Sequence, residues 1–183
     1  MLKKLELRNI ALRTWVLAHR TRDLFRKCED KVLGEYNITA EQYRALIAVE
    51  YLGDPVRPTD VARWLLRKGN SASMLIDRMV KAGLVRRIRD MHDRRVVRVV
   101  MTSKGRETFE QATPVFWGLI EEILSSLSYE DKCTLISLLE RLRDTAFAYI
   151  NPEKDIREIS RYEIEDMARF MKRMAKYISV SAS

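Results

Sequence analysis

The chain has 183 residues, 46% hydrophobic and 33% charged, with 34 Lys+Arg against 26 Asp+Glu for a net charge of +8. That balance suits a globular protein of one domain or two small ones, and 6 Gly with 4 Pro leave little room for long disordered stretches. Arg13, His19 and Arg20 break the apolar residues near the start, and no window reaches the ~18 apolar residues of a membrane helix, so a cytoplasmic protein is expected.

In chain order, Leu17, Leu24, Cys28 and Val32 fall near one face of a long helix stopping at about Gly34. Thr39 with Gln42 three residues on makes a capping box. The helix it opens runs to Leu52 and sets Tyr43, Leu46, Ile47 and Glu50 one turn apart. Gly53-Asp54-Pro55 signals a turn. Pro58 starts a short helix with Val61, Ala62 and Leu65 on its core face. Arg67 to Asn70 read as a turn, and Ser71 to Ala82 as a second helix that Gly83 ends. Leu84 to Arg89 and Val96 to Met101 carry valine and isoleucine between arginines and read as strands. Their connection, Asp90-Met91-His92-Asp93-Arg94-Arg95, is charged, as an exposed hairpin tip should be.

Thr102 is the expected N-cap of the next helix, with the stripe Phe116, Ile120, Ile123 and Leu127 and a kink or interruption at Pro114. Ser128 with Asp131 is another capping box. It opens a helix with Leu135, Leu138, Leu142, Ala146 and Tyr149 on one side. Asn151-Pro152 should break that helix and start the last one, with Asn151 as N-cap. There Ile164, Met167, Met171, Met174 and Ile178 recur at three-four spacing, ahead of a small polar tail from Val180 to Ser183.

Helix, turn, helix and hairpin in this order make a winged helix-turn-helix, a device for placing a helix in the major groove of DNA. Charge agrees. Arg57 to Arg106 hold 14 Lys or Arg and 4 Asp or Glu, a net of +10, while the remainder holds 20 and 22. Concentration of this kind fits a polyphosphate partner better than it fits general solubility. The fold expected is mainly α with one small β-hairpin. Residues 1–35 form an N-terminal dimerisation helix, 36–105 the DNA-binding domain and 106–183 C-terminal dimerisation helices, because the stripes at both chain ends need a partner. An intrachain core face would serve any single stripe nearly as well.

Spacing on the second helix of the motif buries Ala72, Leu75, Ile76 and Met79. It turns Ser71, Ser73, Met74, Asp77 and Arg78 outward, where serine can bond bases or phosphates and Met74 can touch a thymine methyl. Arg78 either bonds a phosphate or pairs with Asp77 or a neighbouring helix. Arg67, Lys68 and Asn70 precede that helix and are placed for phosphate contact. His19 and His92 sit in different modules, and with Cys28 and Cys133 they have no metal-site spacing. No nucleophile-base pair, phosphate-cradling glycine loop or carboxylate dyad stands out, so neither an enzyme nor a cofactor is expected.

Tyr36-Asn37-Ile38-Thr39-Ala40-Glu41-Gln42-Tyr43, the run from Ile76 to Val85, and Asp93-Arg94-Arg95 through Met101-Thr102 to Lys104-Gly105 resemble the MarR family of bacterial transcription regulators. The resemblance extends from about Tyr36 to Phe109, and the segment after Asn151 exceeds the usual family length. Two positions depart from the family pattern: Met74 stands where arginine or another polar residue is common, and Met101 replaces a leucine. The resemblance implies a homodimer on a pseudo-palindromic operator. It further implies a repressor released by a small, often aromatic or phenolic, ligand. Arg95, oriented by Asp93 and accompanied by Arg94, would enter the minor groove. An effector would settle where dimerisation helices meet the winged lobe, near Trp15, His19, Tyr43 and Phe116. One branch of the family uses an N-terminal cysteine, so a redox role for Cys28 is an alternative. An architectural DNA-binding protein with little sequence preference, or a winged-helix module that does not use DNA, are others.

Overall fold

A computed structural model describes residues 9–91 and 93–178. Among them the elements are α1 (Ile10–Gly34), α2 (Ala40–Leu52), α3 (Pro58–Trp64), α4 (Gly69–Lys81), β1 (Val85–Arg89), β2 (Val97–Met101), α5 (Ser103–Leu124), α6 (Tyr129–Ile150) and α7 (Ile156–Ile178). His92, the polar tail and the side chain of Ile178 lie outside the described residues.

Local chemistry sets the boundaries. Thr39 and Gln42 cap α2 reciprocally, Ser128 and Asp131 do the same for α6, and the Thr102 hydroxyl accepts from Gly105 N–H to start α5. Pro58 sits in the first turn of α3, where its missing N–H costs nothing. After α4 the chain reverses through Gly83 at φ +73, a conformation glycine adopts without strain. β1 and β2 pair antiparallel with Val85 opposite Met101 and Arg89 opposite Val97, and Val56 adds a bridge to Val99.

The core forms where α2, α3, α4, α5 and the hairpin meet. Tyr43, Leu46, Val49, Val61, Leu75, Ile76, Met79, Leu84, Val85 and Phe109 are fully buried, each large side chain contributing about 1.5–3 kcal/mol. The α7 helix folds back onto this lobe. Phe170 packs edge-on against Tyr51 at 5.5 Å and lies 6.0 Å from Trp64, and the Tyr51 hydroxyl donates to Asp166 at 2.6 Å. At its far end the Glu50 carboxylate, buried in α2, accepts from Arg106, Lys176 and Tyr177.

Several expectations change. The α4 helix starts at Gly69, so Gly69 and Asn70 belong to its first turn, and each strand is one residue shorter than its apolar pattern. α5 runs unbroken through Pro114. The neighbouring turns are held by buried Ala112, Thr113 and Phe116, and Thr113 Oγ1 donates to the Phe109 carbonyl while accepting from the Tyr43 hydroxyl at 3.0 Å. Asn151 ends α6 instead of starting α7: its N–H and its side-chain amide both reach the Phe147 carbonyl. Asp155 takes the capping job, its carboxylate accepting from Arg157 N–H at 2.8 Å. The α7 stripe divides, with Met174 buried in the core and Ile164, Met167 and Met171 exposed.

Candidate nucleic-acid interface

Burial on α4 follows the expected split. Ala72, Leu75, Ile76 and Met79 face the core, whereas Asn70, Ser71, Ser73, Met74, Asp77 and Arg78 are exposed. Met74, at 68% exposure, is a large apolar side chain held out to solvent. Such a residue fits an apolar contact such as a base methyl. Lys68 is the N-cap of α4 and supplies no side-chain cap. The first-turn N–H groups therefore stay available beside the exposed ends of Lys68 and Asn70.

Arg67 and Arg78 are not free. One carboxylate, Glu41 in the first turn of α2, takes hydrogen bonds from Arg67, from Arg78 at 3.4 Å and from Arg26 of α1 at 2.7 Å. Burial pushes the Glu41 carboxyl up, but the bonds from Arg67 and Arg26 outweigh it and hold the group below its ordinary range. Asp77 pairs with Arg87 of β1 at 2.7 Å, so it is not the counter-ion of Arg78. Glu41 carries no motif of its own. Its place after the Thr39 cap reads as a first-turn acid complementing the helix dipole, and its partners lie 15, 26 and 37 residues away.

The wing tip is braced by carboxylates. Asp93 Oδ1 accepts the backbone N–H of Arg95 at 2.9 Å, and Asp90 accepts from Asp93 N–H and from Arg98 Nε. Asp93 therefore shapes the backbone that carries Arg95. Arg94 and Arg95 are exposed, whereas Arg87 and Arg98 are engaged in the pairs just described.

The four residues expected near an effector fall into two pairs. Tyr43 and Phe116 are buried with ring centroids 4.6 Å apart, and burial raises the Tyr43 hydroxyl pKa well above its usual value. Trp15 and His19 pack together at 4.6 Å on α1, with Trp15 exposed. A cavity of about 700 Å³ opens elsewhere, between the end of α2 and α7, and is lined by Tyr51, Leu52, Asp166 and four basic residues of α7. Cys28 is half-buried in α1 and Cys133 exposed on α6. Among the described residues no helix is long and apolar enough to cross a membrane, and no group of three or more His, Cys, Asp or Glu is placed to hold a metal.

Comparison with known proteins agrees with this architecture. The sequence model of the MarR family matches residues 36–96. The HTH-type transcriptional regulator BilQ of Clostridium symbiosum is 32% identical over 83 residues, covering 45% of this chain but only 58% of that protein. The uncharacterized HTH-type transcriptional regulator YsmB of Bacillus subtilis is 30% identical over 117 residues, 56% of this chain and 80% of its own length. Among solved structures, the organohalide-sensing regulator RdhR-CbdbA1625 in its 2,4-dichlorophenol-bound form superposes with TM-score 0.72 at 24% identity, covering 76% of this chain and 83% of that one. A mutant MarR of Escherichia coli complexed with operator DNA gives 0.67 at 24% identity, covering 73% and 96%. Its residues, its fold and these likenesses agree: the chain belongs to the MarR family of winged helix-turn-helix transcription regulators.

Proposed function

We propose that this chain is a sequence-specific DNA-binding regulator, acting as a ligand-released repressor that binds a pseudo-palindromic operator as a homodimer. The observation that carries the reading is the exposed face of α4, with Ser71, Ser73 and Met74 outward, beside a wing that holds Arg94 and Arg95 in solvent. In this role Lys68, Asn70, Arg67 and Arg78 contact phosphates, α4 reads base edges in the major groove, and Arg95 enters the neighbouring minor groove. The complex of the related Escherichia coli protein with operator DNA supports DNA as the partner of this fold.

Unpartnered apolar surface supports the homodimer. No described residue of α6 is buried, and Leu135, Leu138 and Leu142 are exposed, as are Leu17 and Leu24 of α1. A row of exposed leucines on two helices is what an interface between copies would cover. For the effector, the dichlorophenol complex of the related regulator favours a phenolic ligand, with Trp15 and His19 of α1 and the core residues Tyr43 and Phe116 as candidates.

Cleavage protection of the DNA flanking the gene tests the reading. A protected inverted repeat, lost on adding a phenolic ligand, is the expected result. Uniform protection without a repeat would point to an architectural protein. Protection that no phenol or aromatic acid removes would refute the effector class.

A further inference from the structure

Glu41 gathers three arginines from three separate parts of the chain: Arg26 from α1, Arg67 from the turn before α4, and Arg78 from α4 itself. Two of these belong to the surface assigned above to DNA phosphates. A carboxylate and a phosphate offer guanidinium groups the same kind of paired oxygen acceptor, so each arginine has two competing anions. The carboxylate side chain is only 20% exposed, while Arg26, Arg67 and Arg78 are 55%, 31% and 62% exposed. Glu41 is thus the fixed element and the arginines are the ones able to turn away.

We propose that Glu41 is an internal phosphate mimic: it ties down Arg67 and Arg78 in the free protein, and DNA must displace it to recruit them. The proposal rests on the DNA-binding reading and adds a residue that lowers indiscriminate affinity. A random duplex offers phosphates alone and must compete with Glu41 for both arginines. An operator adds base contacts from α4 that hold the helix in place while the exchange occurs. The third arginine, Arg26, lies on α1, so the same carboxylate connects the lobe to the helix carrying the exposed Leu17 and Leu24. A movement of α1 against the lobe would therefore alter how tightly Arg67 and Arg78 are held.

The test uses the full-length protein and a scrambled duplex, titrated over a range of salt. Glu41→Gln keeps the shape and removes the charge. It should bind the scrambled duplex about tenfold more tightly, and the log-log salt dependence should steepen by about one to two per lobe as freed arginines release counterions. In an Arg67→Gln, Arg78→Gln background the same change should have little effect. Because Glu41→Gln could weaken the fold, the wild type supplies a second measurement. The Glu41 carboxyl carbon resonance should shift on adding the duplex, while that of Glu50 stays. Unchanged or weaker binding by folded Glu41→Gln, or a stationary Glu41 resonance in bound wild type, would overturn the proposal alone. A wild type without affinity for any duplex at low salt would bring down the DNA-binding reading as well.

Discussion

The Tyr177 hydroxyl donates a 2.8 Å hydrogen bond to Oε1 of Glu50 and so fastens α7 to a helix in the core of the winged lobe. Glu50 is buried, and the same carboxylate is bonded by Arg106 and by Lys176 at 3.1 Å. Burial pushes the Glu50 carboxyl up, but the bonds from Arg106, Tyr177 and Lys176 together outweigh it and hold the group below its ordinary value of 4.5. A carboxyl depressed in the folded state stabilises fully above its unfolded pKa and loses that contribution as pH falls through the folded one. Wild-type melting temperature should therefore fall between about pH 5 and pH 3 more steeply than that of Glu50→Gln. Tyr177→Phe should cost about 1–2 kcal/mol and Glu50→Gln about 1–3, since Arg106 loses its buried partner's charge but keeps Asp54 at 3.3 Å. Thermal unfolding followed by circular dichroism checks both, and parallel pH profiles for wild type and Glu50→Gln would show that the network does not titrate.

Gly105 lies in the first turn of α5, against the turn that joins α4 to β1. A Cβ there would stand 1.9 Å from the Leu84 carbonyl oxygen and 3.0 Å from Met101 Cγ. That carbonyl is fixed by Thr102, whose N–H donates to it at 3.1 Å. Gly105→Ala should destabilise the chain by about 2–3 kcal/mol, because the obstacle is backbone. Gly69→Ala meets nothing within 4 Å and should fold normally. Equal melting temperatures for the two variants would show that α5 can shift.

The exposed leucines of α6 make the dimer testable. Leu142 is 55% exposed in the single chain. Leu142→Lys should leave the melting of the lobe intact and raise the dimer dissociation constant at least thirtyfold, since about 2 kcal/mol is lost for each leucine left unburied. Light scattering at micromolar concentration reports this. A monomeric wild type, or a Leu142→Lys dimer as tight as wild type, would remove α6 from the interface.

Local features of this fold were legible and long-range ones were not. The capping pairs Thr39–Gln42 and Ser128–Asp131, the reversal at Gly83 and the buried face of α4 depend on residues within a turn or two of one another. Each could be read from spacing alone. Asn151 reads as a helix start but serves as a helix end, because an Asn-Pro pair suits either, and the cap of α7 falls to Asp155, four residues on. Pro114 reads as an interruption because its cost is local, whereas the core packing of Ala112, Thr113 and Phe116 that offsets it is not. At the candidate interface, the outward residues of α4 followed from periodicity. The capture of Arg67 and Arg78 by Glu41 did not, since nothing in sequence links an acid at the start of one helix to arginines 26 and 37 positions later.

Wing and recognition helix should fail differently. Arg95→Ala should weaken binding to every duplex by about 1–3 kcal/mol and flatten the salt dependence, because it removes a cation from the groove. Met74→Ala should change which operator bases matter and leave the salt slope nearly intact, because Met74 carries no charge. Fluorescence anisotropy over a salt series separates the two. An unchanged slope for Arg95→Ala would mean that the wing does not enter the groove.

If α4 and the wing read sequence, the ratio of affinities for operator and scrambled duplex at one physiological salt concentration shows it. The operator is first selected from random DNA by the wild-type protein. It should be an inverted repeat with half-site centres about one helical turn, ~10 base pairs, apart. The expected ratio is at least about 10³ in favour of that operator. A ratio near one would leave a protein that binds DNA without reading its sequence.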